Sequence, residues 1–405
     1  MAAAPRTFIL GAFSVLTFCI IFYFASSGSP LAAPASLGVP KDGRYIRRIV
    51  AVGDLHGDLR NMKKVLTMAG VINHAGDWSG NVDFFVQTGD IIDRGDDTLE
   101  MYALMEKLRE QAGQAGGQVL SHLGNHEFMN AIGEWRDVSQ SEIETFGSIS
   151  ERQMILSSGW IGRSWRANYT VATRLPLLQY FGPPNTDYDP RRSSGPFSHA
   201  AYAFLHGGLA PTYSNLTPYP SAINKLGNRL LRRLQDRKQP PPHPPNPRPR
   251  LPRNTTRAEI DLFGEDGPLW YRGWAGKPGS AVCPAAEGIL AKTGVRRMIM
   301  GHTPNFKKIV SRCDGKIILI DTGISKAFGG VLSALSITYT LQPKPVSRLM
   351  SVVGAKAWEE REVIKAVYER KVDILVDSSR EIRVGSDDST DRANGLFGFL
   401  FRFFV

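Results

Sequence analysis

Five short blocks recur in this chain, each pairing glycine with aspartate, asparagine or histidine directly after an apolar stretch. They are GDLHG at 53–57, GDIIDRG at 89–95, GNHE at 124–127, HGG at 206–208 and GHT at 301–303. Any one alone is weak, because Gly-Asp and Gly-His pairs commonly mark turns. Five in a fixed order, from Gly53 to Thr303, demand a fold that brings five distant loop tips to one place. An α/β fold does this, because loops that follow parallel strands gather at the strands' carboxyl ends.

The intervening pattern fits that demand. Ile46 to Val52 is a β-branched apolar run that leads into the first block. Asp58 to Ala69 carries Leu59, Met62, Val65 and Leu66 at helical spacing. Val82–Gln87 and Gln118–Leu123 read as the next two strands, with a helix over Thr98–Gln111 between them. Ala201–Leu205 and Val295–Met300 are strands that run into His206 and the GHT block. Glu142–Arg166 reads as a helical subdomain and Leu216–Leu234 as a further helix. Lys307–Val310 and Lys316–Asp321 flank Asp314-Gly315 as a hairpin, and Val331–Leu341 is a last strand. Trp358–Glu369 reads as a charged amphipathic helix. The expected organisation is an apolar segment at 1–25, a linker at 26–44, a catalytic domain at 45–345, and a C-terminal helix and tail at 346–405. Within the domain, 237–256 holds PPPHPPNPRPRLP and is expected to be an exposed insertion without packing of its own.

The residues in the blocks suit metal-assisted chemistry. Asp54 and His56 stand two apart at a strand end, and a carboxylate with an imidazole suits a first-row divalent ion. Asp90 ends the neighbouring strand and can bridge two ions. Asn125, His206 and His302 add an amide oxygen and two imidazoles. One ion would take Asp54, His56 and Asp90; the second would take Asp90, Asn125, His206 and His302. Two such ions can share a hydroxide and present it to phosphorus. His126 is the candidate general acid, with Asp93 holding its imidazole. Arg94 and Arg272, the latter in LWYRG at 269–273, are candidate phosphate-binding forks. Asp58, Asp96 and Asp97 read as helix caps, and Glu127 as a residue that orients a loop.

With these residues set out, the chain resembles the calcineurin-like metallophosphoesterases of the phosphoprotein phosphatase superfamily. GDLHG, GDIIDRG, GNHE and HGG match that family's motifs almost letter for letter. The resemblance implies a four-layer α/β/β/α sandwich, a dinuclear centre of Mn, Fe or Zn, and phosphoprotein substrates. It puts the metal ligands on Asp54, His56, Asp90, Asn125, His206 and His302, and the general acid on His126. Where the eukaryotic serine/threonine enzymes carry a SAPNYC-type loop, this chain has IDTGISKAFGG at 320–330. That stretch, with LWYRG, looks like the bacterial-type Shewanella-like branch, so the regulatory subunits of the eukaryotic enzymes do not carry over to this chain. The alternatives are a nucleotide or dinucleoside-polyphosphate hydrolase on the same scaffold, or a non-catalytic pseudophosphatase.

Charge and the termini bear on partners and compartment. Eight Lys/Arg against one acid between Arg232 and Arg257 place +7 of the chain's net +11 in that window. No basic stripe interleaved with aromatics occurs elsewhere, which argues against a nucleic-acid partner. Phe8–Ala25 is an uncharged run of 18 residues, about 27 Å long as a helix and close to a bilayer core. It reads as a membrane anchor with the catalytic domain lumenal or extracellular, or as a cleaved signal of a secreted enzyme. Cys283 and Cys313 would pair in a lumenal domain and otherwise remain free thiols. The tail GLFGFLFRFFV at 395–405 is too short to span a membrane as a helix.

Overall fold

A computed structural model describes residues 43–191, 195–346 and 356–384. The apolar run at 8–25, most of the 26–44 linker and the tail at 395–405 lie outside these residues. No helix among the described residues is long and apolar enough to cross a membrane.

The chain begins with β1 (Tyr45–Val52), α1 (Leu59–Met68), β2 (Phe84–Gln87), α2 (Thr98–Gln114) and β3 (Gln118–His122). These strands pair in parallel, β1 with β2 and β2 with β3, as the βαβαβ reading expects. Helix α3 (Asn125–Ile132) starts inside the third block. The expected subdomain is three helices, α4 (Gln140–Thr145), α5 (Ile149–Ser157) and α6 (Trp160–Asn168), rather than one. Gly147, at φ +92°, and Gly159 fall at the breaks. Then come β4 (Tyr169–Thr170), β5 (Ala172–Pro176), β6 (Ala201–Leu205), α7 (Ser221–Asp236), α8 (Arg257–Phe263), α9 (Gly273–Gly276) and α10 (Gly279–Thr293). The chain ends in β7 (Arg297–Met300), β8 (Val310–Arg312), β9 (Ile317–Leu319), β10 (Ser333–Lys344), β11 (Lys356–Tyr368) and β12 (Val372–Val384).

Two sheets result, one in the order β12-β11-β10-β1-β2-β3-β4 and the other β5-β6-β7-β9-β8. Alternation along the strands builds the layers. Ile49, Ala51, Phe84 and Val86 of the first sheet share one apolar cluster with Tyr202, Phe204, Ile299 and Ile318 of the second. Their neighbours Val50, Val52 and Phe85 point the other way and join Met62, Val65, Met101 and Met105 of α1 and α2. On the second sheet Leu205, Met298 and Met300 likewise join Val282, Ala286 and Ile289 of α10. The expected helix–sheet–sheet–helix sandwich is the one observed.

One element differs in kind. The expected helix at Trp358–Glu369 is strand β11, paired antiparallel with β10 and β12. Every second residue from Trp358 to Tyr368 is buried. Two of those inward positions are Glu360 and Glu362, and that hid the alternation. Glu360 accepts from Arg296, Arg380 and Tyr339, while Glu362 accepts from Arg297 and Tyr202. The two glutamates therefore tie the C-terminal strands to the second sheet by buried ion pairs.

The proline-rich insertion also departs from expectation, because it is packed. His243 donates its backbone N–H to Gly133 O (2.9 Å) and accepts from Trp135 N–H (2.6 Å). Gln153 Nε2 donates to Pro240 O, Arg237 to Ile132 O, and Arg248 pairs with Glu134. A Cβ on Gly133 would lie 2.9 Å from Pro240 Cγ, so the strap rests directly on the turn after α3. Cys283 of α10 and Cys313 beside β8 form a disulfide, which settles the alternative left open by the sequence.

The buried pairs yield a stability test. Glu362→Ala strands Arg297 and the Tyr202 hydroxyl between the sheets. Breaking a buried pair from one side costs about 3–5 kcal/mol, and chemical denaturation should show a loss of that order. An unchanged unfolding midpoint would show that the β11 network carries no stability.

Candidate active site

The six candidate metal ligands all follow the carboxyl ends of strands. Asp54 comes two residues after β1, Asp90 three after β2, Asn125 three after β3, His206 directly after β6 and His302 two after β7. Sharp backbone turns aim them inward. Eight non-glycine residues among those described have positive φ, and five are here: His56, Asp90, Asp93, Arg94 and His302. Such conformations cost of order 1–3 kcal/mol each and persist where the surroundings enforce them.

Glu127 enforces the turn at Asp90. Its Oε2 accepts from the backbone N–H of Asp90 (3.0 Å) and Gly124 (2.7 Å), and its Oε1 from Ile91 N–H (2.9 Å) and Tyr102 O–H (3.0 Å). It orients loops and does not face the cavity, as expected. Asp58 caps α1 through Asn61 N–H. Asp97 accepts from Leu59 N–H at the start of the same helix, and Asp96 binds the Ser139 and Ser141 hydroxyls.

A cavity of about 200 Å³ opens over these loops. Eight of the ten sequence-predicted residues line it: Asp54, His56, Asp90, Arg94, Asn125, His126, Arg272 and His302. Asp93 and His206 sit behind it, fully buried. Ligand atoms of His56, Asp90 and His126 lie within 4.8 Å of one another, and so do those of Asp90, His206 and His302, with Asp90 common to both. Asp54 falls outside both tight groups. Its carboxylate accepts the His302 backbone N–H at 3.1 and 3.2 Å and adjoins Asp321.

The hydrogen bonds fix the tautomers. His206 Nδ1 lies 2.9 Å from Thr88 O, and His302 Nε2 lies 3.1 Å from Trp270 O. A carbonyl oxygen only accepts, so both nitrogens carry the proton. Their other nitrogens then face each other as lone pairs at 3.1 Å. Asn125 Oδ1 stands 2.8 Å from the same His206 Nε2, and Asp90 Oδ2 3.2 Å from it. Four acceptor atoms thus converge with no hydrogen among them unless a ring takes a second proton. His56 repeats the arrangement, with Nδ1 donating to Ile92 O and Nε2 turned toward Asp90 at 3.8 Å. Imidazoles held from behind by carbonyls, with their free nitrogens pointed at a carboxylate, match the surroundings of a metal ion. The donor set fits the divalent ions that the sequence implies.

The electrostatics separate the imidazoles. Burial and the neighbouring His126 push His56 down to about 3. Burial also holds His302 well below its ordinary value, with His206 and Arg272 adding to the effect. Burial acts the same way on His126, but Asp90 and Asp93 overcome it and raise this imidazole to about 9. Of these three rings, His126 holds a proton most readily. Burial, reinforced by Asp321 and Asp90, lifts Asp54 well above the carboxylate range.

Asp93 is itself locked in place. Its Oδ2 lies 2.7 Å from His126 Nδ1, Asn130 Nδ2 donates to both of its oxygens, and the Arg152 guanidinium pairs with Oδ1 at 3.2 Å. Arg152 is fully buried, pairs with Glu142 at 2.9 Å, and lies over the Trp135 ring at 4.5 Å. Arg94 pairs with Asp137 (3.1 Å) and sits 4.9 Å over Phe328. Arg272 donates to His302 O at 2.7 Å. Asn130, Arg152, Glu142, Asp321 and Phe328 were not anticipated as site residues. Asn130, four residues after His126 on α3, had a helical spacing that signalled it. Arg152 and Asp321 had none, because they reach the site only through the tertiary fold.

Comparison with known proteins places this geometry. The family model of the calcineurin-like phosphoesterases matches residues 47–306. An uncharacterized protein of Schizosaccharomyces pombe is 34% identical over 73% of this chain and 78% of its own length. Shewanella-like protein phosphatase 2 of Arabidopsis thaliana is 29% identical over 69% of this chain and 72% of its own. Among solved structures, the cold-active protein-tyrosine phosphatase of a psychrophilic Shewanella species is similar in fold, with a TM-score of 0.55 and 21% identity, covering 82% of this chain and 81% of its own. The motifs, the sandwich and these relatives agree, and the chain belongs to the calcineurin-like phosphoesterase family of hydrolases.

Proposed function

We propose that this chain is a metal-dependent phosphomonoesterase that dephosphorylates proteins. The observation that carries the reading is the set of acceptor atoms around His206 Nε2 and Asp90, which lacks any hydrogen of its own. Asp54, His56, Asp90, Asn125, His206 and His302 would hold two ions, with Asp90 shared and Mn, Fe or Zn suited to the donors. Bound there, the ions would supply charge neutralisation at the phosphoryl oxygens and a water activated for attack on phosphorus.

The chain's own groups do the rest. Arg94 and Arg272, on the cavity wall, take non-bridging phosphate oxygens, and Asp137 and Phe328 keep Arg94 in position. His126 donates the Nε2 proton to the ester oxygen as its bond to phosphorus breaks, so the leaving group departs as a neutral alcohol. Asp93 on Nδ1 fixes the tautomer and stabilises the imidazolium. Support for protein substrates comes from two relatives that are named Shewanella-like protein phosphatases. The apolar run at 8–25 supports tethering of the enzyme to a membrane, with the catalytic domain on the lumenal or outer side. Rates on a phosphopeptide panel against dinucleoside polyphosphates test the substrate class. Faster hydrolysis of the polyphosphates would overturn it.

Two substitutions probe the machinery. A Cβ at residue 124 would fall 2.1 Å from Asp90 Oδ1. It would also fall 2.8 Å from Asp90 N, so Gly124→Ala should displace the carboxylate and push the two loops apart. Turnover should fall on the order of 10²-fold, the cost of a small misplacement of a reacting group, and bound metal measured by mass spectrometry should fall with it. Full activity with a normal metal content would contradict the role given to Asp90.

His126→Asn should spare bound metal and lower kcat by roughly 10²–10⁴-fold on alkyl phosphates. The loss should shrink on p-nitrophenyl phosphate, whose leaving group needs no proton. Equal losses on both substrates would argue against proton donation.

A further inference from the structure

A second cavity, of about 460 Å³, lies between the proline-rich strap and helices α3 and α8. That volume is within the range of ligand pockets. Met129, Ile132, Leu251 and Phe263 give it an apolar wall, and Arg248 and Arg250 stand at its rim. Glu134 holds Arg248 at 2.6 Å and also pairs with Arg136 at 3.1 Å. The Arg250 side chain makes no ion pair or hydrogen bond among the described residues, and neither do those of Lys238 and Arg253. All three are exposed.

The cavity is joined to the catalytic site through aromatic rings. Phe263 meets Trp270 edge-to-face at 5.9 Å, and Trp270 meets His302 at 5.6 Å, a path that three or four residues of extended peptide cover at about 3.3–3.6 Å each. The strap that forms one wall is held by the backbone bonds of His243 to Gly133 and Trp135, so the pocket is preformed. The turn beneath it continues to Asp137, the partner of Arg94.

We propose that this cavity receives a substrate residue flanking the phosphorylated one. The substrate is an acidic phosphopeptide with a large apolar side chain three or four residues from the phosphate and a carboxylate beside it that meets Arg250. The apolar wall takes the anchor, and the uncompensated cations of the strap select the acidic neighbour. This inference rests on the reading of the enzyme as a phosphoprotein phosphatase.

Arg250→Glu in the full chain tests it, because that side chain holds nothing in the fold. Two phosphopeptides are compared, one carrying Leu and Glu at the third and fourth positions on both sides of the phosphoresidue, the other Ser and Lys. The wild type should favour the Leu/Glu peptide in kcat/KM. Arg250→Glu should lose about tenfold on it, mainly in KM, and gain on the Ser/Lys peptide, with p-nitrophenyl phosphate kinetics unchanged. Equal kcat/KM of the two enzymes on both peptides would overturn the docking pocket. So would weaker binding to phosphatidylserine vesicles with unchanged peptide kinetics, which would assign the strap to a lipid surface. If the wild type cleaves p-nitrophenyl phosphate and dinucleoside polyphosphates but neither peptide, the phosphoprotein reading itself fails, and the pocket with it.

Discussion

Asp90 is buried at the end of a strand, in a backbone conformation that a non-glycine residue seldom adopts, within reach of three imidazoles. That arrangement would come apart without Glu127. By accepting the N–H groups of Asp90, Ile91 and Gly124, Glu127 fastens the loop after β2 to the loop after β3. Gly89 and Gly124 then let the two loops approach. A Cβ on Gly89 would lie 2.6 Å from Gly124 N and 3.0 Å from His206 Nδ1, so the imidazole from the second sheet also depends on it. Side chains from the two sheets meet at one site because these glycines admit the contact.

A second buried system surrounds His126. Asp93 carries its charge without solvent because His126, Asn130 and Arg152 all answer it. Arg152 is in turn answered by Glu142, Trp135 and Phe146. The helices between β3 and β4 thus do more than cover the site. They deliver Arg152, whose guanidinium pairs with Asp93 and aims it. The strap over Gly133 presses on the same turn from outside, so the proline-rich insertion belongs to the catalytic architecture.

Much of this was legible in the sequence. The parallel strands of the first sheet, the strands that lead to His206 and His302, and most of the loops that bring eight of the ten candidates to one cavity could be read from apolar runs ending in glycine-flanked blocks. The failures have physical reasons. In β11 the inward positions at 360 and 362 are glutamates, and arginines from another sheet make them tolerable. No local pattern reveals such partners, so charge spacing suggested a helix. The insertion looked unpacked because polyproline composition says nothing of backbone bonds to a distant turn. The helical reading of Glu142–Arg166 missed the breaks at Gly147 and Gly159. Asp321 and Phe328 lie within the IDTGISKAFGG stretch and reach the cavity through the crossing of β9 beside β7.

On the function proposed above, acceptor atoms shared through Asp90 would form a dinuclear centre required for phosphoryl hydrolysis. The most direct measurement is metal content of the purified full-length protein by mass spectrometry, taken alongside phosphate release before and after chelation. The account predicts two ions per chain, loss of hydrolysis when they are stripped, and recovery when Mn is restored. Undiminished hydrolysis by a metal-free protein would contradict it.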